Sequence, residues 1–328
     1  MSIEPGGSRR MLCVVCPCFN EAAGIRAFHS ALTIALAGIA DLDYRIVLVD
    51  DGSSDATLVV LNQLAREDAR VRVYALSRNF GHQVALTAGS DVARGDAVVF
   101  MDSDLQHPPA LLSAMVAKWR AGADVVSTVR MGTADASWLK QQSAAMFYGF
   151  LNAISDTRIV PGAADFVLLS QPAHEALRRM PERHRFLRGM VSWIGFRREF
   201  VDYHAPARAA GESHYTFRRM MQLGSDALFS FSTAPVRLAT RLGVAVVALG
   251  MLYLAYILYV VVAHPGRVIQ GWSSLIIVVL ILSGSQLMLT GLIGEYIARI
   301  FEESKQRPLY FFKQQPADDA ANEPAPRP

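Results

Sequence analysis

The chain of 328 residues carries 32 Lys and Arg against 29 Asp and Glu, a net charge of +3, and is 52% hydrophobic. So slight a positive excess excludes a nucleic-acid partner held by a dense basic face, and the apolar content excludes a disordered chain. Three cysteines, Cys13, Cys16 and Cys18, sit too close together for a secreted disulfide framework, and no further cysteine completes a zinc site.

The first ten residues are polar and lack the apolar core of a signal peptide, so they are read as a disordered N-terminus and the segment after them as cytoplasmic. From Met11 to Arg130 apolar runs alternate with helical patterns. Strands are predicted at Leu12 to Cys16, Arg45 to Val49, Val71 to Leu76, Ala97 to Met101 and Val125 to Val129. The cysteines fall on and beside the first, where free cysteine acts as a small hydrophobe. Helices lie between, for instance Ala56 to Ala65 after Ser54-Asp55 and Ala110 to Arg120 after Pro108-Pro109. This βαβ rhythm predicts an α/β domain with a mostly parallel, Rossmann-like sheet.

Beyond Arg130 the pattern changes. Trp138 to Ile154 and Tyr215 to Phe231 read as amphipathic juxtamembrane helices, although the first is as compatible with packing on the sheet. Leu242 to Ala263 and Trp272 to Ile293 are uncharged apolar runs of about 22 residues each, close to the ~20 that span a bilayer. A short turn-rich loop, His264 to Gly271, joins them into a two-helix transmembrane hairpin. Arg237 and Arg241 precede the first run, and Arg299, Lys305 and Arg307 follow the second. The positive-inside bias therefore places both outer ends in the cytoplasm, with Arg267 as one contrary charge. The domains expected are residues 11–235, catalytic with juxtamembrane helices, 236–300 in the membrane, and a cytoplasmic tail over 301–328 that is disordered from Gln314.

Three polar loops each follow a predicted parallel strand: Pro17-Cys18-Phe19-Asn20-Glu21, Asp50-Asp51-Gly52-Ser53-Ser54-Asp55, and Asp102-Ser103-Asp104-Leu105-Gln106. Ligands of open α/β sheets bind outside the carboxyl ends of the strands, so these loops converge on one site. So many carboxylates repel one another unless a cation joins them, and hard divalent ions prefer oxygen ligands. Mg²⁺ or Mn²⁺ bound with a nucleoside diphosphate is the natural occupant. Asp50 or Asp51 is alternatively placed to accept hydrogen bonds from a base or ribose.

Phe19-Asn20-Glu21, Val49-Asp50-Asp51-Gly52-Ser53, Ser77-Arg78-Asn79-Phe80-Gly81, Asp102-Ser103-Asp104-Leu105-Gln106 and Gly211-Glu212-Ser213, with Gly294-Glu295-Tyr296 and Arg307-Pro308-Leu309-Tyr310 near the end, occur in order along residues 11–312. Together they resemble the membrane-anchored polyprenyl-phosphate glycosyltransferases of glycosyltransferase family 2, similar to dolichyl-phosphate mannose synthase and the bactoprenol glucosyltransferases. The resemblance implies a GT-A domain that transfers one sugar, with inversion, from a UDP- or GDP-sugar to undecaprenyl or dolichyl phosphate on the cytoplasmic leaflet of the cell membrane.

By that resemblance Asp102, Asp104 and Gln106 hold the metal, and Asp102 also faces the donor diphosphate. Pro17, Asn20, Glu21 and one or both of Asp50 and Asp51 form the nucleotide pocket. Arg130, Arg208, Ser213 and His214 hold the acceptor phosphate, the two arginines beside Asp104 among the catalytic groups. Asp165 matches an acidic position that is either a base or a sugar contact. The chain departs from the family at Ala164, where glycine is frequent, at Val167 for arginine, and at His82 and His214 for lysine. A processive polysaccharide synthase is the competing enzyme reading, weakened by the lack of a Gln-x-x-Arg-Trp motif, and a silent nucleotide-sugar-binding scaffold is the non-enzyme one. A homo-oligomer is compatible with either.

Overall fold

The computed structural model describes residues 9–131, 163–183, 185–203, 234–263 and 271–316. They fall into two compact units, one formed by the residues up to 203 together with those from 307, the other by residues 234–306. In chain order the first unit contains β1 (Arg10–Cys18), α1 (Ile25–Ala37), β2 (Leu42–Asp50), α2 (Thr57–Glu67), β3 (Val71–Leu76), α3 (His82–Val92), β4 (Ala97–Phe100), α4 (Leu111–Arg120), β5 (Val125–Arg130), β6 (Ala163–Ser170), α5 (Gln171–Arg179), α6 (Leu187–Trp193) and β7 (Arg198–Tyr203). The second unit is α7 (Ala234–Ala263) and α8 (Trp272–Ser304), after which the chain returns to the first as β8 (Phe312–Gln314).

The sheet runs β7-β5-β6-β4-β1-β2-β3-β8. The strands β4, β1, β2 and β3 are mutually parallel, and β5 and β7 parallel to each other. Against them β6 runs antiparallel between β4 and β5, and β8 antiparallel on β3. This is the GT-A, Rossmann-like α/β architecture. All five predicted strands are present, slightly displaced at their ends. Three further strands, β6, β7 and β8, were not predicted from the sequence.

Burial explains why β1 reads as an unbroken apolar run. Leu12, Cys13, Val14, Val15 and Cys16 have no exposed surface, because helices cover both faces of the sheet. On one side Ile25, Phe28, Leu32 and Leu36, spaced along one stripe of α1, join Leu112, Met115 and Val116 of α4 over Leu12, Val14 and Cys16. On the other, α3 approaches so closely that a Cβ at Gly89 would stand 2.3 Å from Val15 Cγ1. The cysteines are packing residues. Burial pushes the Cys13 thiol up to about 11 and Cys18 up to about 12, far from a reactive thiolate.

In the second unit α7 and α8, of 30 and 33 residues, touch each other at a few positions. Each extends past the predicted apolar run, α7 at its start and α8 at its end. Their surfaces leave Leu249, Val262, Leu287 and Met288 more than 70% exposed. Among the residues whose side chains are described, no helical run is long and apolar enough to cross a membrane. The predicted amphipathic helices, most of the 264–271 loop, residues 1–8 and the tail beyond 316 lie outside the described residues. The tail was expected to be featureless from Gln314, yet that residue closes β8 and exchanges side-chain hydrogen bonds with Asn62.

Candidate active site

The loops at the carboxyl ends of β1, β2 and β4 meet, and they are joined by hydrogen bonds that use several of the predicted residues. Asn20, at φ 57°, accepts from the Ser54 amide at 2.9 Å through Oδ1, while its own amide donates to Ser53 Oγ at 3.0 Å. The Glu21 amide donates to Thr57 Oγ1 at 2.8 Å. Ser103 Oγ donates to the Pro17 carbonyl at 2.8 Å, which binds the β4 loop to the β1 loop. Asp51 accepts from the amides of Phe80 and Gly81 at 2.8 and 2.9 Å, drawing in the β3–α3 loop. Gly52 lies at φ 66° against that loop, where a Cβ would come within 2.4 Å of the Arg78 carbonyl carbon.

A cleft of about 560 Å³ opens among these loops, lined by Pro17, Glu21, Asp51, His82, Asp102 and Asp104. Its volume is in the range of small-molecule sites. Asp50 is buried and accepts from Ser53, whose amide stands 3.3 and 3.4 Å from its two oxygens, and from the Gly52 amide, while burial raises its carboxyl above the ordinary range. Asp104 is exposed and accepts from the Gln106 amide at 3.0 Å, which folds the loop about Leu105 at φ 60°, a left-handed conformation costly for a leucine. Burial, then the charges of Asp104 and Asp55, raise the Glu21 carboxyl above its ordinary range.

Asp102 is the least satisfied group. Its Oδ1 is buried without a hydrogen bond, although His82 Nε2 stands 3.3 Å away. Oδ2 is 3.6 Å from His107 Nδ1, but that nitrogen accepts a hydrogen bond from the Asp102 amide at 3.2 Å and so carries no proton toward the carboxylate. Burial lowers His107 in the same sense, and its ring stacks on Phe166 at 5.3 Å. Burial accordingly raises the Asp102 carboxyl. A buried carboxylate oxygen lacking a donor, beside Asp104 and Glu21, is a donor set that fits a hard divalent cation. Among the described residues no group of three His, Cys, Asp or Glu is gathered to hold a metal; magnesium commonly takes only one or two protein carboxylates with water and phosphate oxygens.

Asp165, on β6, is held differently. Arg188 of α6 reaches both its oxygens, Nε to Oδ1 at 2.6 Å and Nη2 to Oδ2 at 3.0 Å. Burial pushes this carboxyl up, but the charge and hydrogen bonds of Arg188, with His82 and His107 behind, carry it below the ordinary range.

The structure thus gathers Pro17, Glu21, Asp51, Asp102 and Asp104 around one cleft, with Asn20 tying its rim and Asp50 beneath. Arg130 is exposed at the end of β5, on the same edge of the sheet. Gln106 follows in the Asp104 loop. Arg208, Ser213 and His214 lie outside the described residues. Arg188, Gln83 and His107 were not anticipated as site residues. Arg188 finds Asp165 only because β6 reverses direction, an arrangement with no local sequence pattern.

Residues 13–177 match the model of glycosyl transferase family 2, and residues 234–300 match the GtrB C-terminal hairpin. The uncharacterized glycosyltransferase YkcC of Bacillus subtilis is 39% identical over 90% of this chain and 91% of its own length. The bactoprenol glucosyl transferase of Shigella phage SfV is 37% identical, and the prophage bactoprenol glucosyl transferase homolog of Escherichia coli 35%, each over 92% of this chain and 97% of the relative. The chain belongs to glycosyl transferase family 2, where it is similar to the bactoprenol glucosyl transferases, and it is a glycosyltransferase.

Proposed function

We propose that the protein transfers a single sugar, with inversion, from a nucleotide-sugar to a polyprenyl phosphate at the cytoplasmic face of a membrane. The observation that carries this is the acidic cleft at the strand ends, with its unsatisfied Asp102 oxygen, in a chain whose sequence continues into two uncharged apolar runs, Leu242 to Ala263 and Trp272 to Ile293. At 1.5 Å per residue helices of 30 and 33 residues exceed the ~30 Å hydrocarbon core. An apolar surface as extensive as theirs is foreign to a water-facing protein.

The acceptor is a phosphate monoester. With a second pKa near about 6 it is already an anionic nucleophile at neutral pH and needs no strong base. Its oxygen forms a bond to the anomeric carbon on the side away from the donor diphosphate, while the bond from that carbon to the β-phosphate oxygen breaks. The electron pair leaves with the diphosphate. Asp102 and Asp104, with Gln106 beside them, would hold Mg²⁺ or Mn²⁺, which when bound neutralises the charge gathering on the departing diphosphate. The bonded loops of Asn20 and Asp51 keep the nucleotide end of the cleft rigid. Arg130 is suited to orient the acceptor phosphate, because a guanidinium stays charged and can bind two oxygens.

The test is turnover. Purified chain in lipid, with Mg²⁺ or Mn²⁺, polyprenyl phosphate and a panel of UDP- and GDP-sugars, is expected to give one lipid-linked monosaccharide by mass spectrometry. Asp102→Asn should lower the rate at least ~100-fold while the protein extracts and elutes as the parent does. A ladder of products would make it a processive synthase, and no glycolipid with any donor would sink the reading.

A further inference from the structure

The register of β4 and β6 pairs Ala97 with Ser170 and continues to Phe100 with Val167. Just beyond that last pair come Asp102, after β4, and Asp165, before Val167 on β6, and a single nitrogen, His82 Nε2, lies 3.3 Å from Asp102 Oδ1 and 3.7 Å from Asp165 Oδ2. Two carboxylates close enough to share one histidine repel in a partly buried site. The two are treated unequally. Asp165 receives the fork of Arg188, whereas the described contacts of Asp102 are two histidines, one of which presents an unprotonated nitrogen.

A second contact joins this arrangement to the cleft. Gln83, in the first turn of α3, donates Nε2 to Asp165 Oδ2 at 3.4 Å and accepts the Leu187 amide on Oε1 at 3.1 Å. One amide side chain therefore connects α3, β6 and the start of α6. Its neighbour His82 lies between the carboxylates, 3.3 Å from Asp102 Oδ1 and 3.7 Å from Asp165 Oδ2. To take a proton, Asp165 would have to give up its forked pairing with Arg188 in a half-buried position, a costly exchange.

We propose that Arg188 and Gln83 are positioning residues that fix the Asp165 carboxylate as a strut instead of a base, leaving Asp102, of these two carboxylates, to join Asp104 at the cation and diphosphate of the donor. The inference rests on the nucleotide-sugar reading of the cleft. It assigns the pair a division of charge: the fold supplies the counter-ion of one carboxylate, and the ligand supplies that of the other.

The experiment is a double-mutant cycle on the full chain with Asp165→Asn, Arg188→Gln and both together. Two readouts are taken: calorimetric binding of UDP and of GDP, each with Mn²⁺, and sugar transfer to polyprenyl phosphate. Arg188→Gln takes the forked cation away from the carboxylate beside Asp102, so nucleotide binding should weaken ~10-fold or more; the neutral double variant should recover most of that loss. Arg188→Lys keeps the charge without the fork. It should bind nucleotide nearly as the parent does and lose several-fold in kcat. Losses that multiply in the double variant, or an Arg188→Gln chain that binds and transfers like the parent while Asp165→Asn is inactive, would make Asp165 an independent base and overturn the proposal. A parent chain that transfers no sugar but shows the coupling in nucleotide binding removes the proposed reaction and leaves the strut standing.

Discussion

Asp50 and Asp51 are adjacent in sequence and chemically identical, and their surroundings separate them. Both carboxylate oxygens of Asp51 accept backbone amides from a loop 29 and 30 residues further on, and these charge-assisted bonds hold one wall of the cleft. Asp51→Ala strands the amides of Phe80 and Gly81 at about 1–3 kcal/mol in all, so the thermal midpoint of the catalytic unit should fall by about 4–8 °C and the donor KM should rise. Asp50→Asn keeps an acceptor oxygen for the local Gly52–Ser53 turn and ties in no distant loop, so it should shift the midpoint by less than half as much. Melting both variants in detergent checks the contrast, and equal shifts would show that the pairing does not bear on the wall. The sequence displayed which acids end the strands, since a buried run followed by a polar loop is a local pattern. Which carboxylate is consumed internally depends on amides and guanidiniums delivered by distant loops, and for that reason neither the role of Asp51 nor the Arg188–Asp165 pair was legible.

At the scale of elements, β1 to β5 were readable because each is a largely buried apolar run, while β6, β7 and β8 gain their place from neighbours: β6 reverses direction between β4 and β5, β7 is half-exposed, and β8 has only three residues. The consequence is clearest at β8. Soon after α8, residues 311–314 lie along the open edge of β3: the Ser77 amide donates to the Phe311 carbonyl at 2.8 Å, and Phe312 packs on Tyr74 with centroids 5.4 Å apart. Tyr310 donates its hydroxyl to Asp91 at the far end of α3 at 3.0 Å, and Arg183 donates to the Arg307 carbonyl. An uncovered edge strand is prone to fray or to pair with another chain. A chain ending at Gln306 should therefore show faster amide exchange at Ser77, a midpoint lower by several degrees, and raised aggregation. Unchanged protection at Ser77 would mean that this strap does not hold the edge. Because β3 leads straight into the loop that Asp51 grips, the same truncation should weaken donor binding more than it weakens the folding of α1 or α4.

On the scale of the whole molecule, what remains to be tested is that the helix pair crosses a bilayer and leaves the catalytic unit in the cytoplasm. The sequence argues for it through charge: Arg237, Arg241, Arg299, Lys305 and Arg307 flank the outer ends of the pair, against Arg267 alone in the turn. The cysteine distribution offers a clean reporter. Cys13, Cys16 and Cys18 are wholly buried, and burial keeps Cys13 and Cys18 as protonated thiols, so they should stay silent toward a maleimide in the folded protein. A single Val268→Cys in the turn is then the reactive site. In intact cells a membrane-impermeant maleimide should label it from outside, whereas Gln306→Cys beyond α8 should react only after permeabilisation. Labelling of Val268→Cys that also requires permeabilisation would place the turn on the cytoplasmic side and reject a spanning hairpin. The two outcomes bear on mechanism as well as topology, since an acceptor phosphate held at the bilayer surface reaches the cleft of Asp102 and Asp104 without leaving its leaflet only if both outer ends of the pair share the side on which that cleft lies.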